Sequence, residues 1–180
     1  MHQLHHPKIV QLLGVCTAPR SPFYIVTELM PNGGIAVLEE RREERKENNV
    51  WRNCLTCCSR SLTNGLLEEK KFIHRDLRAA NILVGHENVV KVGDFGLSRL
   101  IEEDVYDAVP IRWTAPEAAT DKVFTNKSDV WSFGVLIYEV VTRGRVPYQE
   151  HQNKAILKLV SEGHRMLNPR TMSSRAFDAT

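Results

Sequence analysis

Two acidic loops stand on either side of a minimal hairpin, and this order narrows the folds open to the chain. The first loop is His74-Arg75-Asp76-Leu77-Arg78-Ala79-Ala80-Asn81. Two short apolar runs follow, Ile82 to Val84 and Val89 to Val92, split by the turn Gly85-His86-Glu87-Asn88. Asp94-Phe95-Gly96 comes next. A tight loop puts Asp76 and Asn81 in one site, and the hairpin returns Asp94 to it. Phosphoryl transfer asks for this set, a base with hard oxygen ligands, because it depends on positioning and charge neutralisation more than on covalent chemistry. Any one of these residues alone is an ordinary turn residue or helix cap. In sequence they form a metal–base constellation. His74 fits none of those roles and reads as a packed brace for the loop.

A chain of 180 residues can bury one core. Its net charge of +2 gives no argument for a nucleic-acid partner or an anionic membrane. The charged run from Glu39 to Glu47 mixes both signs, with opposite charges three apart, and reads as a solvated helix face. No apolar stretch approaches the length of a membrane helix, and no signal peptide is expected at Met1. Cys54 and Cys57 have C-x-x-C spacing, but no second metal-like pair follows. With Cys16 and Cys58 they are expected as free thiols, Cys54 and Cys57 buried on one helix face, which suggests the cytosol.

The chain opens with the end of a helix that Pro7 stops. Strands are expected over Ile9 to Cys16 and Phe23 to Leu29, paired antiparallel, then a break at Met30-Pro31-Asn32-Gly33-Gly34. A charged helix to about Asn48 and a half-buried one from Trp51 to Lys71 follow. Asn126 or Ser128 can cap a helix to about Val141 that is apolar nearly all round, the signature of a central helix. Gly144 and Pro147 stop it. A last amphipathic helix spans about Gln152 to Ser161, and residues 168–180 show no periodicity, as in a frayed tail.

The motifs quoted, together with Pro110-Ile111-Arg112-Trp113-Thr114-Ala115-Pro116-Glu117-Ala118, Lys127-Ser128-Asp129-Val130-Trp131-Ser132-Phe133-Gly134-Val135 and Gly144-Arg145-Val146-Pro147-Tyr148, resemble the protein tyrosine kinases. Arg78 placed two residues after Asp76 resembles their cytoplasmic Src-type branch. The resemblance covers about residues 1–167. It implies an α+β, protein-kinase-like fold truncated at both ends: a small-lobe remnant and hinge over 1–30, and a mostly helical large lobe over 31–167. It also implies ATP and Mg²⁺ as cofactors and tyrosine-bearing proteins as substrates. Asp76, Arg78 and Asn81 would be catalytic, with Asp76 as base and Arg78 orienting the substrate phenol. Asn81 and Asp94 would hold Mg²⁺. Thr27 would be the gatekeeper, the backbone of Glu28 and Met30 would meet adenine, and Leu83 would floor that pocket. Asp129 would brace the catalytic loop. Tyr106 would be the activation-loop phosphorylation site, with Arg75 and Arg99 as phosphate partners.

Departures from the family are large. Within the 180 residues there is no glycine-rich phosphate loop, no strand lysine and no ion-pair glutamate, and the segment from Tyr106 to Pro110 is short. The active arrangement needs the Lys–Glu pair as well as the Mg²⁺-binding aspartate. The chain by itself is therefore expected to be inactive or nearly so, with an exposed strand pair that favours self-association. The alternative reading is a kinase-derived scaffold or binding module that catalyses nothing.

Overall fold

The structure, a computed structural model, describes residues 5–17, 22–36, 53–54, 56, 72–94 and 110–167. Strands β1 (Leu12–Cys16) and β2 (Tyr24–Thr27) pair antiparallel, with an irregularity between Leu12 and Gly14. Strands β3 (Ile82–Val84) and β4 (Val90–Val92) form a separate antiparallel hairpin. Three helices follow: α1 (Pro116–Thr120), α2 (Asn126–Val141) and α3 (Asn153–Ser161). This is a partial α+β fold, of the kind the resemblance implies.

The apolar run expected as one strand from Ile9 divides in two. Ile9 bridges Val92 in parallel, with the Val10 amide donating to the Val92 carbonyl at 2.9 Å and the Val92 amide to the Lys8 carbonyl at 2.9 Å. Only Leu12–Cys16 pairs with β2. Burial explains the division: Ile9 and Val10 are 2% and 4% exposed, whereas Leu13 and Val15 stand out in solvent. On the other side of the hairpin, the Asn32 amide donates to the Val84 carbonyl and the Val84 amide to the Gly33 carbonyl. The β3–β4 hairpin is thus flanked by chain on both edges, which protects its short ladders. Gly34 must be glycine here, because a Cβ would stand 2.7 Å from the Ala80 carbonyl oxygen.

The main core gathers Ile9, Ile35, Cys54, Phe72, Leu77, Ile82, Val84, Val90, Val92, Leu136 and Val140. It joins hairpin to α2 beneath the 72–81 loop. By contrast β1–β2 exposes Phe23, Tyr24, Ile25, Val26 and Leu29, an apolar surface of the kind expected from its sequence. Cys54 is buried as expected, while Cys16 is exposed. Cys57 and Cys58 lie outside the described residues, as do the charged helix, most of the Trp51 to Lys71 helix and residues 168–180.

The cap of α2 lies one residue before Asn126 and three before Ser128, the two caps expected. Thr125 is the cap: its hydroxyl accepts from the Lys127 and Ser128 amides, and the Ser128 hydroxyl accepts from the Thr125 amide at 3.0 Å. This reciprocal box satisfies amides that the first turn cannot. Arg143 (φ 57) and Gly144 (φ 84) end the helix in left-handed conformation, with the Gly144 amide on the Glu139 carbonyl. The helix is not simply apolar all round. Its buried face carries Ser128, Asp129, Ser132 and Glu139 among Val135, Leu136 and Val140, while Val130 is exposed. Each buried polar group here holds a loop.

Candidate active site

The loop before β3 is pinned from below. Asp129 on α2 is 3% exposed; its Oδ2 accepts from the His74 amide at 2.6 Å and its Oδ1 from the Arg75 amide at 2.9 Å. Burial pushes the Asp129 carboxyl up, against those amide bonds and the neighbouring Arg75 charge that favour its ionised form. The brace expected of Asp129 is thus present. Arg75 takes a left-handed backbone (φ 69), which turns both amides onto the one carboxylate.

His74 is fully buried and braces the loop, as its sequence reading expects. The Asp76 amide donates to its Nδ1 at 3.3 Å, so Nε2 carries the proton and donates to the Gly93 carbonyl at 2.8 Å. This is the neutral tautomer. Desolvation lowers its pKa, outweighing the charges of Asp129, Asp76 and Asp94 and the Gly93 hydrogen bond that would raise it.

Above these pins Asp76, Arg78 and Asn81 converge. The Asn81 side-chain nitrogen donates at 2.7 Å to both the Asp76 carbonyl and Asp76 Oδ2. Arg78 Nε stands 3.1 Å from Asp76 Oδ1, an ion pair without hydrogen-bond alignment. The Arg78 guanidinium lies 6.0 Å from the Trp113 ring centre. The Gly93 amide donates to the Asn81 carbonyl at 2.8 Å, which brings the segment ending in Asp94 to Asn81. Asp94 itself is exposed with a left-handed backbone (φ 56). Phe95, Gly96, Arg99 and Tyr106 lie outside the described residues. Arg75 turns its guanidinium over the Phe124 ring at 5.2 Å.

Of the residues expected around adenine, Glu28 and Met30 touch the β3–β4 hairpin and Leu83 lies on it. Thr27 ends β2 and is exposed. The Glu28 amide donates to the Gln11 carbonyl, and its carboxylate receives Lys91 Nζ at 2.6 and 2.7 Å and the Gln11 amide at 2.8 Å. Burial would raise the Glu28 pKa, but the bonds from Lys91 and Gln11 win and hold it below the usual value. Met30 packs at Gly85, where a Cβ would stand 3.3 Å from its terminal methyl. Leu83 crosses Gly93 on the same hairpin, where a Cβ would stand 3.0 Å from it.

Two contributors were missed in the sequence. Glu139 is 7% exposed, and its Oε2 accepts from the Ala79 amide at 3.0 Å and from Trp113 Nε1 at 2.7 Å. A lone glutamate among Leu136, Ile137, Tyr138, Val140 and Val141 was the available signal, since a buried carboxylate requires partners. Arg112 donates through one terminal nitrogen to the Pro147 and Tyr148 carbonyls, both at 2.7 Å, and through the other to the His151 carbonyl at 2.9 Å. It fastens the 110–116 segment to the loop after α2. Its planar fork suits carbonyls from different residues, which a lysine could not hold together.

Among the described residues no group of three or more metal-ligating side chains is clustered, and no helix is long and apolar enough to cross a membrane. The site is instead a set of loops pinned to one helix, with a carboxylate, an amide and an arginine at its centre. The chain compares accordingly. A family model described as protein tyrosine and serine/threonine kinase matches residues 1–179. The chain is 48% identical over 176 residues to tyrosine-protein kinase SRK3 of Spongilla lacustris, covering 94% of this chain and 52% of the relative. It is 45% identical to tyrosine protein-kinase src-1 of Caenorhabditis elegans, covering 99% of this chain and 35% of the relative. It is 44% identical to tyrosine-protein kinase ABL2 of Homo sapiens, covering 99% of this chain and 15% of the relative. The chain spans about half the length of SRK3 and less of the other two. With the pinned Asp76 loop already in place, these matches settle the family: the chain belongs to the protein kinases, alongside non-receptor tyrosine kinases of the Src and Abl kinds.

Proposed function

We propose that the protein carrying this chain transfers the γ-phosphate of ATP to tyrosine hydroxyls of protein substrates. The observation that carries this is the orientation of Asp76. The Asn81 amide fixes one carboxylate oxygen and Arg78 faces the other. Asp76 acts as the base for the incoming phenol, and Arg78 orients that phenol. The Asn81 amide nitrogen is spent on Asp76, so its carbonyl oxygen faces the other way. That oxygen and the Asp94 carboxylate, both hard donors, would hold Mg²⁺. When bound, Mg²⁺–ATP supplies the phosphoryl group and neutralises its charge. The Glu28 and Met30 backbone would meet adenine, with Leu83 as the floor of that pocket and Thr27 as its gatekeeper.

Residues 1–30 are read as the end of the small lobe with the hinge, 31–167 as the large lobe, and 168–180 as a tail. Tyr106 follows Glu102, Glu103 and Asp104 and is read as a regulatory phosphorylation site, paired with Arg75 and Arg99. The similarity to non-receptor kinases and the free thiols support a cytoplasmic location.

A second reading rests on a specific observation. The 180 residues contain no glycine-rich loop or strand lysine, and β1–β2 leaves Phe23 and Leu29 78% and 83% exposed. By itself this polypeptide is read as a nearly inactive, self-associating scaffold. The test is phosphate transfer to a tyrosine-containing peptide with Mg²⁺–ATP, by the purified chain and by the same chain joined to a kinase small lobe. Transfer in the joined form, lost on Asp76→Asn, is the expected result. No Asp76-dependent transfer in either form would overturn the enzyme reading and leave the scaffold.

A further inference from the structure

We infer that Glu139 is a positioning residue that couples the substrate platform, through Trp113, to the catalytic loop, through Ala79. The two segments lie far apart in sequence and meet at one oxygen atom, Glu139 Oε2. A carboxylate buried in the last turn of α2 costs free energy that a leucine would not. Its bonds to Ala79 and Trp113, with the Arg78 charge close by, offset part of that cost, while burial still pushes the carboxyl up.

The geometry makes a closed circuit. Trp113 is held at its carbonyl by the Ser132 hydroxyl at 2.8 Å, so the tilt of its indole is the freedom that remains. The indole edge donates to Glu139, and its face stands 6.0 Å from the Arg78 guanidinium. Arg78 is 3.1 Å from Asp76 Oδ1, and the Asn81 amide donates to the Arg78 carbonyl at 2.9 Å. Ala79 sits inside that same turn, with its amide on Glu139. A peptide that tilts the Trp113 indole on docking therefore pulls on the oxygen that sets the position of Ala79, and with it Arg78 and Asn81 on either side. Trp113 lies within Pro110 to Ala118, the segment that resembles a kinase substrate platform. Arg112 next to it anchors that platform rigidly to the 147–151 loop, so the strain of docking passes inward rather than being absorbed.

This inference deepens the kinase reading, and only its kinetic arm rests on that reading. The first arm is amide hydrogen exchange in the full chain for wild type, Trp113→Phe, Glu139→Gln and the double variant. Phe keeps an aromatic six-membered ring and removes the indole N–H donor. Ala79 exchange is expected to rise about tenfold in Trp113→Phe, the worth of a hydrogen bond to a charged group. With Glu139→Gln in place, adding Trp113→Phe is expected to change it much less. Val140, inside α2, should keep its protection throughout. Unchanged Ala79 exchange in Trp113→Phe overturns the coupling. So does a rise shared equally by Val140, which would report general loosening.

The second arm compares peptide phosphorylation by wild type, Glu139→Gln and Glu139→Leu, with Asp76→Asn as control. The expected order of kcat is wild type, then Gln, then Leu, with the KM for ATP unchanged, because Gln keeps an acceptor oxygen. Equal kcat for wild type and Glu139→Leu overturns the inference. If wild type shows no transfer that depends on Asp76, the kinase reading falls, and amide exchange alone decides the coupling.

Discussion

The Asn81 side chain grips Asp76 at two points, the backbone carbonyl and Oδ2, both at 2.7 Å. One nitrogen thus fixes the position of the loop and the direction of the carboxylate together. Asn81→Asp replaces that donor with a like charge and should lower phosphate transfer by roughly 10²-fold, the scale of lost general-base help. Asn81→Ala should fall between it and wild type. Steady-state kinetics on a tyrosine peptide measure the order, and an Asn81→Asp protein as active as wild type would refute this role.

Removing the Asp129 carboxylate strands two amides in the interior. Asp129→Ala is expected to cost about 2–5 kcal/mol of stability, because the His74 and Arg75 N–H groups lose their acceptor where water does not reach. Asp129→Asn should cost less, since its amide oxygen still accepts from one of the two. Urea denaturation of the three proteins checks the ranking.

The Glu28–Lys91 pair joins the end of β2 to β4, with side chains 27% and 17% exposed. A double-mutant cycle with Glu28→Gln and Lys91→Met should give a coupling of about 1 kcal/mol, near the upper end for partly exposed pairs. Its pH dependence has a definite sign. The folded-state pKa of Glu28 lies below the ordinary glutamate value of 4.5. The pair's contribution is therefore present above pH 4.5 and lost as pH falls through the depressed folded value. Glu28→Gln should flatten the melting curve against pH in that acid window, and a coupling that persists after Glu28 is protonated would count against the assignment.

His74 works in a higher window. Its folded-state pKa lies below 6.5 because burial disfavours the imidazolium. The unfolded chain binds the proton more readily, so the His74 contribution is full above pH 6.5 and drains away as pH falls towards the folded value. A single such group gives a slope of at most about 1.4 kcal/mol per pH unit. Thermal melts of wild type and His74→Gln between pH 7 and 5 should show a shallower slope in the variant. Equal slopes would show that other histidines carry the dependence.

Much of this was legible in the residues. The motif order around Asp76 and Asp94 and the span of α2 could be read directly, because loop chemistry and helix periodicity are local properties. The division of the Ile9 to Cys16 run could not. Its two halves are alike in composition, and what separates them is that Ile9 meets Val92 on a distant hairpin. Thr125 was passed over as the cap in favour of Asn126 and Ser128, since choosing among adjacent cap formers depends on which hydroxyl reaches which amide. Glu139 and Arg112 were missed for the same reason: their partners are backbone atoms of remote segments, and backbone atoms leave no mark in a sequence.

Asp129 and Glu139 lie ten positions apart on α2, about 15 Å along the axis at 1.5 Å per residue. Each meets a different end of the loop from His74 to Asn81. The helix therefore acts as a gauge whose length and phase are both fixed. A substitution between the two carboxylates leaves the gauge intact. Inserting or deleting a single residue there would rotate one carboxylate about 100° away from its amide, since 3.6 residues make a turn. This stretch should tolerate changes of side chain far better than changes of length.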